Sequence, residues 1–584
     1  MYTSNVITSP SWGLRATTYS YYLFTFILLK ENGINWGVPN LPKVVGYGRR
    51  VDPRSGEKIQ RKTPEVKKAE KTPDCHHINP SPGSRHISVL MLLRQFNRVS
   101  SPSWISRVPS AMPLRAKVTN PAFRPTAMMS TSSDIPKELP GDERDDVLFN
   151  SIYGLRSVEL NRPKKLNSLN GSMARKILPR LKEWEKSHLA NMILISGAGT
   201  KALCAGGDVA ALALQNESGA EGQNASTEFF GLEYRLDHLI ATYSKPVISF
   251  MDGITMGGGV GLSMHAPFRI ATERTLFAMP ETTIGFFPDV GGSFFLPRLD
   301  GETGTYLALT SERLKGVQAL YAGIATHYLH SSVLSSVAQR LSELTFPDHV
   351  ELPERLQIVN KTMAEFSLGL PSLEEEPMLM AGSLRTAIDR CFKFNTMEEI
   401  IQALEKETEQ KEWAQKTLET LSGRSPTSLK VTLRQMRLGK KWSISETFQR
   451  EHKVAANFMR HPDFVEGVKA RLMSKPARQP EWKPATLAEV SDETVDSFFE
   501  IADHESRLPL LSEGDYQNYP HARFALPTEA EIEKVVRRGH ASRRPVVDHF
   551  LHKYAHREGV RRKVVEVIAR RTTTSSPEGL KWLD

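Results

Sequence analysis

Two glycine-dense turns constrain this chain of 584 residues more than any other feature. Each follows a short apolar run and precedes a helix-forming one. The first is Met192-Ile193-Leu194-Ile195-Ser196, which runs into GAGTKALCAGGDVAAL with Gly206-Gly207 at its centre and a helix predicted from about Asp208. The second is the apolar stretch from Pro246 to Met251, which runs into GITMGGGVGLS with Gly257, Gly258, Gly259 and Gly261, and then into a strand at Phe268-Arg269-Ile270-Ala271. Upstream, Val147 to Leu160 alternates as a strand or hairpin ended by Asn161-Arg162-Pro163. Residues 172–189 carry the helical spacing Met173, Ile177, Leu178, Leu181, Trp184. A repeated order of strand, loop and helix predicts a mixed α/β layer unit.

Glycine lets a chain approach a ligand closely, and the first turn of a helix has unpaired N–H groups with a partial positive charge. Two such amides aimed at one point stabilise an oxyanion, which suits acyl transfer. The same glycines alternatively serve only tight helix packing. A dinucleotide site fits less well, because Met256-GGGVG lacks the G-x-G-x-x-G spacing. Neither loop closes with Gly-Lys-Ser/Thr, so a phosphate-cradling P-loop is absent. A third segment, FAMPETTIGFFPDVGG (277–292), adds Glu281 after a proline and Asp289 between Pro288 and Gly291. Burial of such acids among aromatic neighbours raises their pKa into the range useful for proton transfer. Capping or turn formation is the bland alternative for both.

The apolar fraction of 40% and charged fraction of 24% suit a folded, water-soluble body. Only Cys75, Cys204 and Cys391 occur, which excludes a disulfide-built scaffold, and Cys75-His76-His77 is too compressed to close a zinc site. No metal and no separate cofactor are expected. Cys204 has no histidine near it in sequence and reads as a small packing residue. The apolar run from Tyr21 to Leu29 falls short of the ~20 residues that cross a bilayer, so no membrane span is predicted. Residues 1–90 read as a disordered or overextended start, with a Pro-, Lys- and Arg-rich stretch over 40–86. From Asp74 to Asp134 no acid intervenes, while Arg94, Arg98, Arg107, Arg115, Lys117 and Arg124 are spread among Ser, Ala and Leu. That is the composition of a mitochondrial presequence with its linker, taken as 91–140, with translation starting near Met91 or Met112.

Taken together, the motifs NRPKKLNSLN (161–170), KALCAGGDV (201–209), GITMGGGVGLSMH (253–265), LFAMPETTIGFFPDVGGSFFLPRL (276–299) and LKGVQALYAGIATHYL (314–329) resemble the crotonase (enoyl-CoA hydratase/isomerase) superfamily. Within it they resemble most the 3-hydroxyisobutyryl-CoA hydrolase family. The likeness continues through SPTSLKVTLRQM (425–436), DFVEGVKARL (463–472) and EWKPATLAEV (481–490), and so covers roughly 145–500. It implies an α/β crotonase-like fold, with repeated ββα units forming a β-superhelix core and a helical C-terminal region. It implies that the backbone amides of Gly207 and Gly258 hold the thioester oxygen of an acyl-CoA substrate. Glu281 is implied as the catalytic carboxylate, as nucleophile through a mixed anhydride or as base for water. Asp289 is its partner at the 3-hydroxyl or in proton transfer, and Glu233 in GLEYRL is a further substrate-contacting acid. Coenzyme A enters as part of the substrate, in the mitochondrial matrix and in valine breakdown. Hydratases that share the pattern carry a glutamate three places after the oxyanion glycine, where this chain has Gly261. Hydrolysis therefore fits better than hydration.

The predicted units are a catalytic core over 141–380, a helical region over 381–504 and a basic extension over 505–584. In the helical region Met397 to Leu404, Trp413 to Leu421, Leu429 to Leu438 and Ile444 to Met459 have helical recurrence, and Ser425-Pro426-Thr427 starts a helix. This portion either folds over the acyl pocket or forms a homo-oligomer contact. Most of the formal charge of +10 lies at the far end, where Lys534 to Arg571 hold twelve Lys or Arg against three acids. Thr528-Glu-Ala-Glu-Ile-Glu begins a helix, and basic helices follow around 545–571. Such a stretch reads as an appended device. It is either a solvated helix face or a contact to RNA or a ribonucleoprotein through 528–584. Fungal relatives of this kind resemble proteins of the mitochondrial small ribosomal subunit, so a ribosome-associated protein on the same fold is the competing expectation.

Overall fold

The computed structural model describes residues 135–583, apart from 348, 502–506, 540–541 and 576–578. The expectations for 1–90, and for the presequence as far as 134, lie outside the described residues. The alternating segment is a hairpin, β1 (Val147–Ile152) and β2 (Leu155–Leu160), pairing antiparallel with Val147 opposite Leu160. Helix α1 (Gly171–Lys186) starts where the Asn170 side chain accepts from the Met173 N–H, and it buries the predicted stripe from Met173 to Trp184.

Three strand pairs follow, the first two of them leading to α-helices. Strands β3 (Met192–Gly197) and β4 (Ala202–Cys204) lead to α2 (Val209–Asn216) and α3 (Ala220–Ala241). Strands β5 (Val247–Met251) and β6 (Ile254–Met256) lead to α4 (Gly258–Met264), and β7 (Phe268–Ala271) and β8 (Leu276–Ala278) lead to a 3-10 turn at Glu281–Ile284. The first strand of each pair enters a six-stranded sheet of order β1-β2-β3-β5-β7-β10, and the second enters a four-stranded sheet of order β4-β6-β8-β9, with β9 at Leu314–Lys315 and β10 at His327–Tyr328. From β2 to β10 the larger sheet is parallel, which explains why β3 and β5 are nearly continuous apolar runs rather than alternating ones. In the smaller sheet β4, β6 and β8 are parallel, so the turns that leave them emerge side by side at one end.

The helical region folds over this end. Its labelled helices are α5 (Gly382–Phe392), α6 (Met397–Glu405), α7 (Lys411–Ser422), α8 (Pro426–Gly439) and α9 (Ile444–Arg460). Ser425 caps α8 by accepting from the Ser428 N–H, as the Ser-Pro-Thr signal predicts. Helix α9 packs along α3, where Phe448 meets Tyr234 and His238 ring to ring. The helical region thus packs on the core.

The basic extension is not a free-standing arm. Helices α10 (Glu529–Val536), α11 (Arg543–Lys553) and α12 (Val560–Arg571) are followed by a hairpin of β11 (Thr572–Ser575) and β12 (Gly579–Trp582). They bury Ile532, Val546, Phe550, Val560, Val564, Val567 and Ile568 in the same apolar cluster as Leu320 and Phe392. Lys563 pairs with Asp300 at 2.8 Å, Arg570 and Arg571 with Glu529 at 2.8 and 3.0 Å, and Arg562 donates to the Tyr321 hydroxyl. Counting charge along the sequence missed this, because half of each amphipathic helix points inward. Among the twelve cations of 534–571, the exposed ones are Lys534, Arg537, Arg538, Arg543, Arg544, Lys553 and Arg561.

Candidate active site

The segment 161–170 braces the first glycine turn. Arg162 pairs with Asp208 at 3.0 Å, Asn167 donates to the Ala202 carbonyl, and Leu169 exchanges backbone hydrogen bonds with Gly206 and Asp208. Gly206 sits at φ +109° and Gly257 at φ +45°, backbone that a side chain would strain. Because β4 and β6 are parallel neighbours, the turns they feed lie against each other. A methyl group added at Gly258 would lie 3.5 Å from the Gly207 nitrogen and would collide with Glu233 Oε1. One added at Gly257 would lie 3.0 Å from Glu281 Oε1. Gly258 opens α4, where a first-turn N–H has no intrahelical acceptor. Gly207 likewise has no backbone acceptor among the described residues.

The next parallel strand, β8, delivers Glu281 to the same end through Met279-Pro280. Asp289 follows on a turn in which Val290 and Gly291 both take positive φ. That turn is held from the helical region. Glu451 of α9 accepts from the Gly291 N–H (2.7 Å), the Ser293 N–H (2.8 Å) and the Ser293 hydroxyl (2.6 Å). Gln435 of α8 donates to the Pro288 carbonyl, and His265 lies 2.8 Å from the Val290 carbonyl. Tyr234 on α3 donates its hydroxyl to Asp289 at 2.8 Å. The five residues singled out from the sequence, Gly207, Glu233, Gly258, Glu281 and Asp289, thus line one locus.

Its electrostatics are one-sided. Glu233, Glu281 and Asp289 are 2%, 5% and 4% exposed, under an apolar wall in which Phe230 stacks on Phe286. Burial, reinforced by the charge of Asp289, pushes Glu281 well above the usual carboxylate range. Glu233 is raised by the same two causes. Burial lifts Asp289 to about 7 against the pull of the Tyr234 hydrogen bond, and Glu451 to about 8 against its bonds from Ser293 and Gly291. The charges that bear most on these four acids are those of other acids. Cys204 is fully buried and its thiol is pushed up to about 12 by burial, which makes it a packing residue rather than a nucleophile. Among the described residues no group of three or more His, Cys, Asp or Glu is placed to hold a metal ion, and no helix is long and apolar enough to cross a membrane.

Glu451, Tyr234 and Asp237 were missed in the sequence. Glu451 did carry a signal: it falls in the apolar register of α9, between Phe448 and Val454, where an acid is out of place. Asp237 lies four residues past Glu233 on the buried face of α3.

Comparison with known proteins adds four findings. The enoyl-CoA hydratase/isomerase family model matches residues 155–499. The small ribosomal subunit protein mS47 of Neurospora crassa is 53% identical over 485 residues, covering 81% of this chain and 94% of that protein. The mitochondrial 3-hydroxyisobutyryl-CoA hydrolase of Gallus gallus is 44% identical over 358 residues, covering 61% of this chain and 89% of that protein. Among solved structures, a carnitinyl-CoA dehydratase from Mycobacterium thermoresistibile superposes with a TM-score of 0.55 at 34% identity, covering 63% of this chain and 100% of that one.

Proposed function

The chain belongs to the enoyl-CoA hydratase/isomerase (crotonase) family, and from that premise we propose that it hydrolyses a short 3-hydroxyacyl-CoA thioester, 3-hydroxyisobutyryl-CoA first among them, to 3-hydroxyisobutyrate and coenzyme A. The observation that carries this reading is the meeting of the Gly207 and Gly258 turns opposite Glu281, with no acid at position 261. The thioester oxygen takes hydrogen bonds from the two amides, which strengthen as negative charge develops on it. Ionised Glu281 then either attacks the carbonyl carbon, expelling the coenzyme A thiolate to leave a mixed anhydride that water opens, or takes a proton from the water that attacks. Asp289, steadied by Tyr234, faces the 3-hydroxyl or relays a proton, and Glu233 contacts the substrate beside Gly258. Main-chain donors and a carboxylate suffice for this cleavage, so the proposal needs no cofactor.

Thiol release from 3-hydroxyisobutyryl-CoA by the purified chain tests the proposal, and no release above background sinks it. A single turnover in labelled water separates the two roles of Glu281, because only the anhydride route leaves label in the protein. The relatives carry mitochondrial names, and the chain is assigned to mitochondria with them; the matrix and valine breakdown follow from the proposed substrate.

A second reading has its own support. The likeness to the ribosomal protein extends over 485 residues, well past the 358 shared with the hydrolase. We propose that the chain also associates with the mitochondrial small ribosomal subunit, with or without turnover, through the outward cations of the extension. Since α10 to α12 are built into the core, deleting 528–584 is the wrong test. Reversing Arg543, Arg544 and Arg561, which share one open groove of about 450 Å³, removes the charge and leaves the fold. Unchanged co-sedimentation of that variant with ribosomal particles counts against this route.

A further inference from the structure

Helix α3 carries an acid that the proposed chemistry leaves unused. Asp237 lies one turn beyond Glu233 on the same face. It is fully buried, and neither of its oxygens, nor Glu233 Oε1, has a hydrogen-bond partner among the described residues. Opposite stands α4, whose Gly258 and Gly261 are three residues apart and so also share a face. A methyl at Gly258 runs into Glu233. A methyl at Gly261 would lie 2.5 Å from Asp237 Oδ2, 2.8 Å from its Cγ and 2.8 Å from Val290 Cβ. Two acids thus seat on two glycines.

We infer that Asp237 is a positioning residue of the pocket: it fills the volume that a side chain at 261 would take, and it holds Glu233 seated on Gly258. The missing acid at position 261 is then no simple loss, since another carboxyl group, from a different helix, stands in that volume. The charges that bear on Asp237 are Glu233 from its own helix, Asp289 from the turn after β8 and Glu451 from α9, and it in turn bears on Cys204 of β4. None is positive. Two carboxyl groups a turn apart in such surroundings do not both ionise, so the pair keeps a proton. Asp237 works as a neutral acid that can donate as well as accept. Burial and then those neighbouring charges push it well above the usual carboxylate range, which agrees with that state.

The activity readout rests on the hydrolase reading, whereas the packing readout does not, so the two fail separately. For packing, thermal midpoints are compared for the native chain, Gly261→Ala, Asp237→Ala and the double variant. Gly261→Ala lowers the midpoint by several degrees through overpacking, and adding Asp237→Ala recovers part of that drop, Val290 accounting for the rest. For activity, Asp237→Leu lowers kcat/KM about tenfold or more while its midpoint stays at or above the native one, because an apolar group replaces an uncompensated buried acid. Asp237→Asn recovers most of that loss, and the decline of its rate at alkaline pH moves to higher pH. A residue that only fills space would move rate and midpoint together. Strictly additive midpoints overturn the shared-volume argument, and native kcat/KM in Asp237→Leu overturns the positioning of Glu233. An inactive native chain refutes the hydrolase reading and leaves the midpoint cycle as the deciding measurement.

Discussion

The pocket and the basic extension both hold charge out of water, and they do so in opposite ways. In the pocket, Glu233, Asp237, Glu281, Asp289 and Glu451 are buried, the charges that bear most on them are one another's, and each carboxyl is raised above its usual range. In the extension, Lys563 faces Asp300, and Glu529 receives Arg570 and Arg571, so these charges meet their opposites. Burial alone would raise Asp300, but the Lys563 ammonium brings its carboxyl below the usual range. Paired charge of this kind locks one element onto another. Unpaired acid of one sign stores a protonation state that chemistry can draw on.

The sharpest way to break the comparison is Glu281→Gln. It should cut thiol release by about a thousandfold while the thermal midpoint holds or rises, and equal activity would remove Glu281 from the chemistry. Next comes Lys563→Met, which strands Asp300 and should lower folding stability by about 3–4 kcal/mol, read by urea unfolding with kcat unchanged. A loss of kcat there would mean that the extension serves the pocket directly.

Asp289→Asn should lower the rate by about a hundredfold, and its stability against pH tells the two regions apart. Asp289 titrates near 7 when folded, against an unperturbed value of 3.8, so the folded state holds the extra proton between those limits. Native stability therefore falls as pH climbs through that window, by at most on the order of 4 kcal/mol from this group. The Asn variant escapes the fall, so its midpoint should gain on the native one up to about pH 7 and run parallel above. For Asp300 the sign reverses: its stabilisation is present above its unfolded pKa and is lost in acid. The smallest expected effect is that of Arg543→Glu, Arg544→Glu and Arg561→Glu together, within about 0.5 kcal/mol of native stability because all three face solvent.

The glycine turns, Glu281 and Asp289 could be read from the sequence because each lies in a contiguous motif whose residue types have a local reason. Helices 397–405, 411–422, 426–439 and 444–460 matched their apolar recurrence closely, since each buries a stripe. Glu451 was hidden because it joins the Asp289 turn from 160 residues away in sequence. Asp237 escaped because a lone acid on a long helix looks the same whether it meets water or another helix. The extension misled for a related reason: a sum over neighbours in sequence cannot separate Lys563, which faces the core, from Arg561, which does not.

The three hydrogen bonds that Glu451 accepts from the Asp289 turn have a temporal consequence. A chain emerging from its own synthesis would expose both glycine turns and Glu281 well before α9 exists, and domains commonly gather from the amino end first. Until residue 451 arrives, the Gly291 and Ser293 amides lack their acceptor, and the Asp289 turn has Tyr234, His265 and Gln435 but not its carboxylate anchor. Competence is thus scheduled late, and an unfinished copy carries the recognisable motifs without a finished pocket.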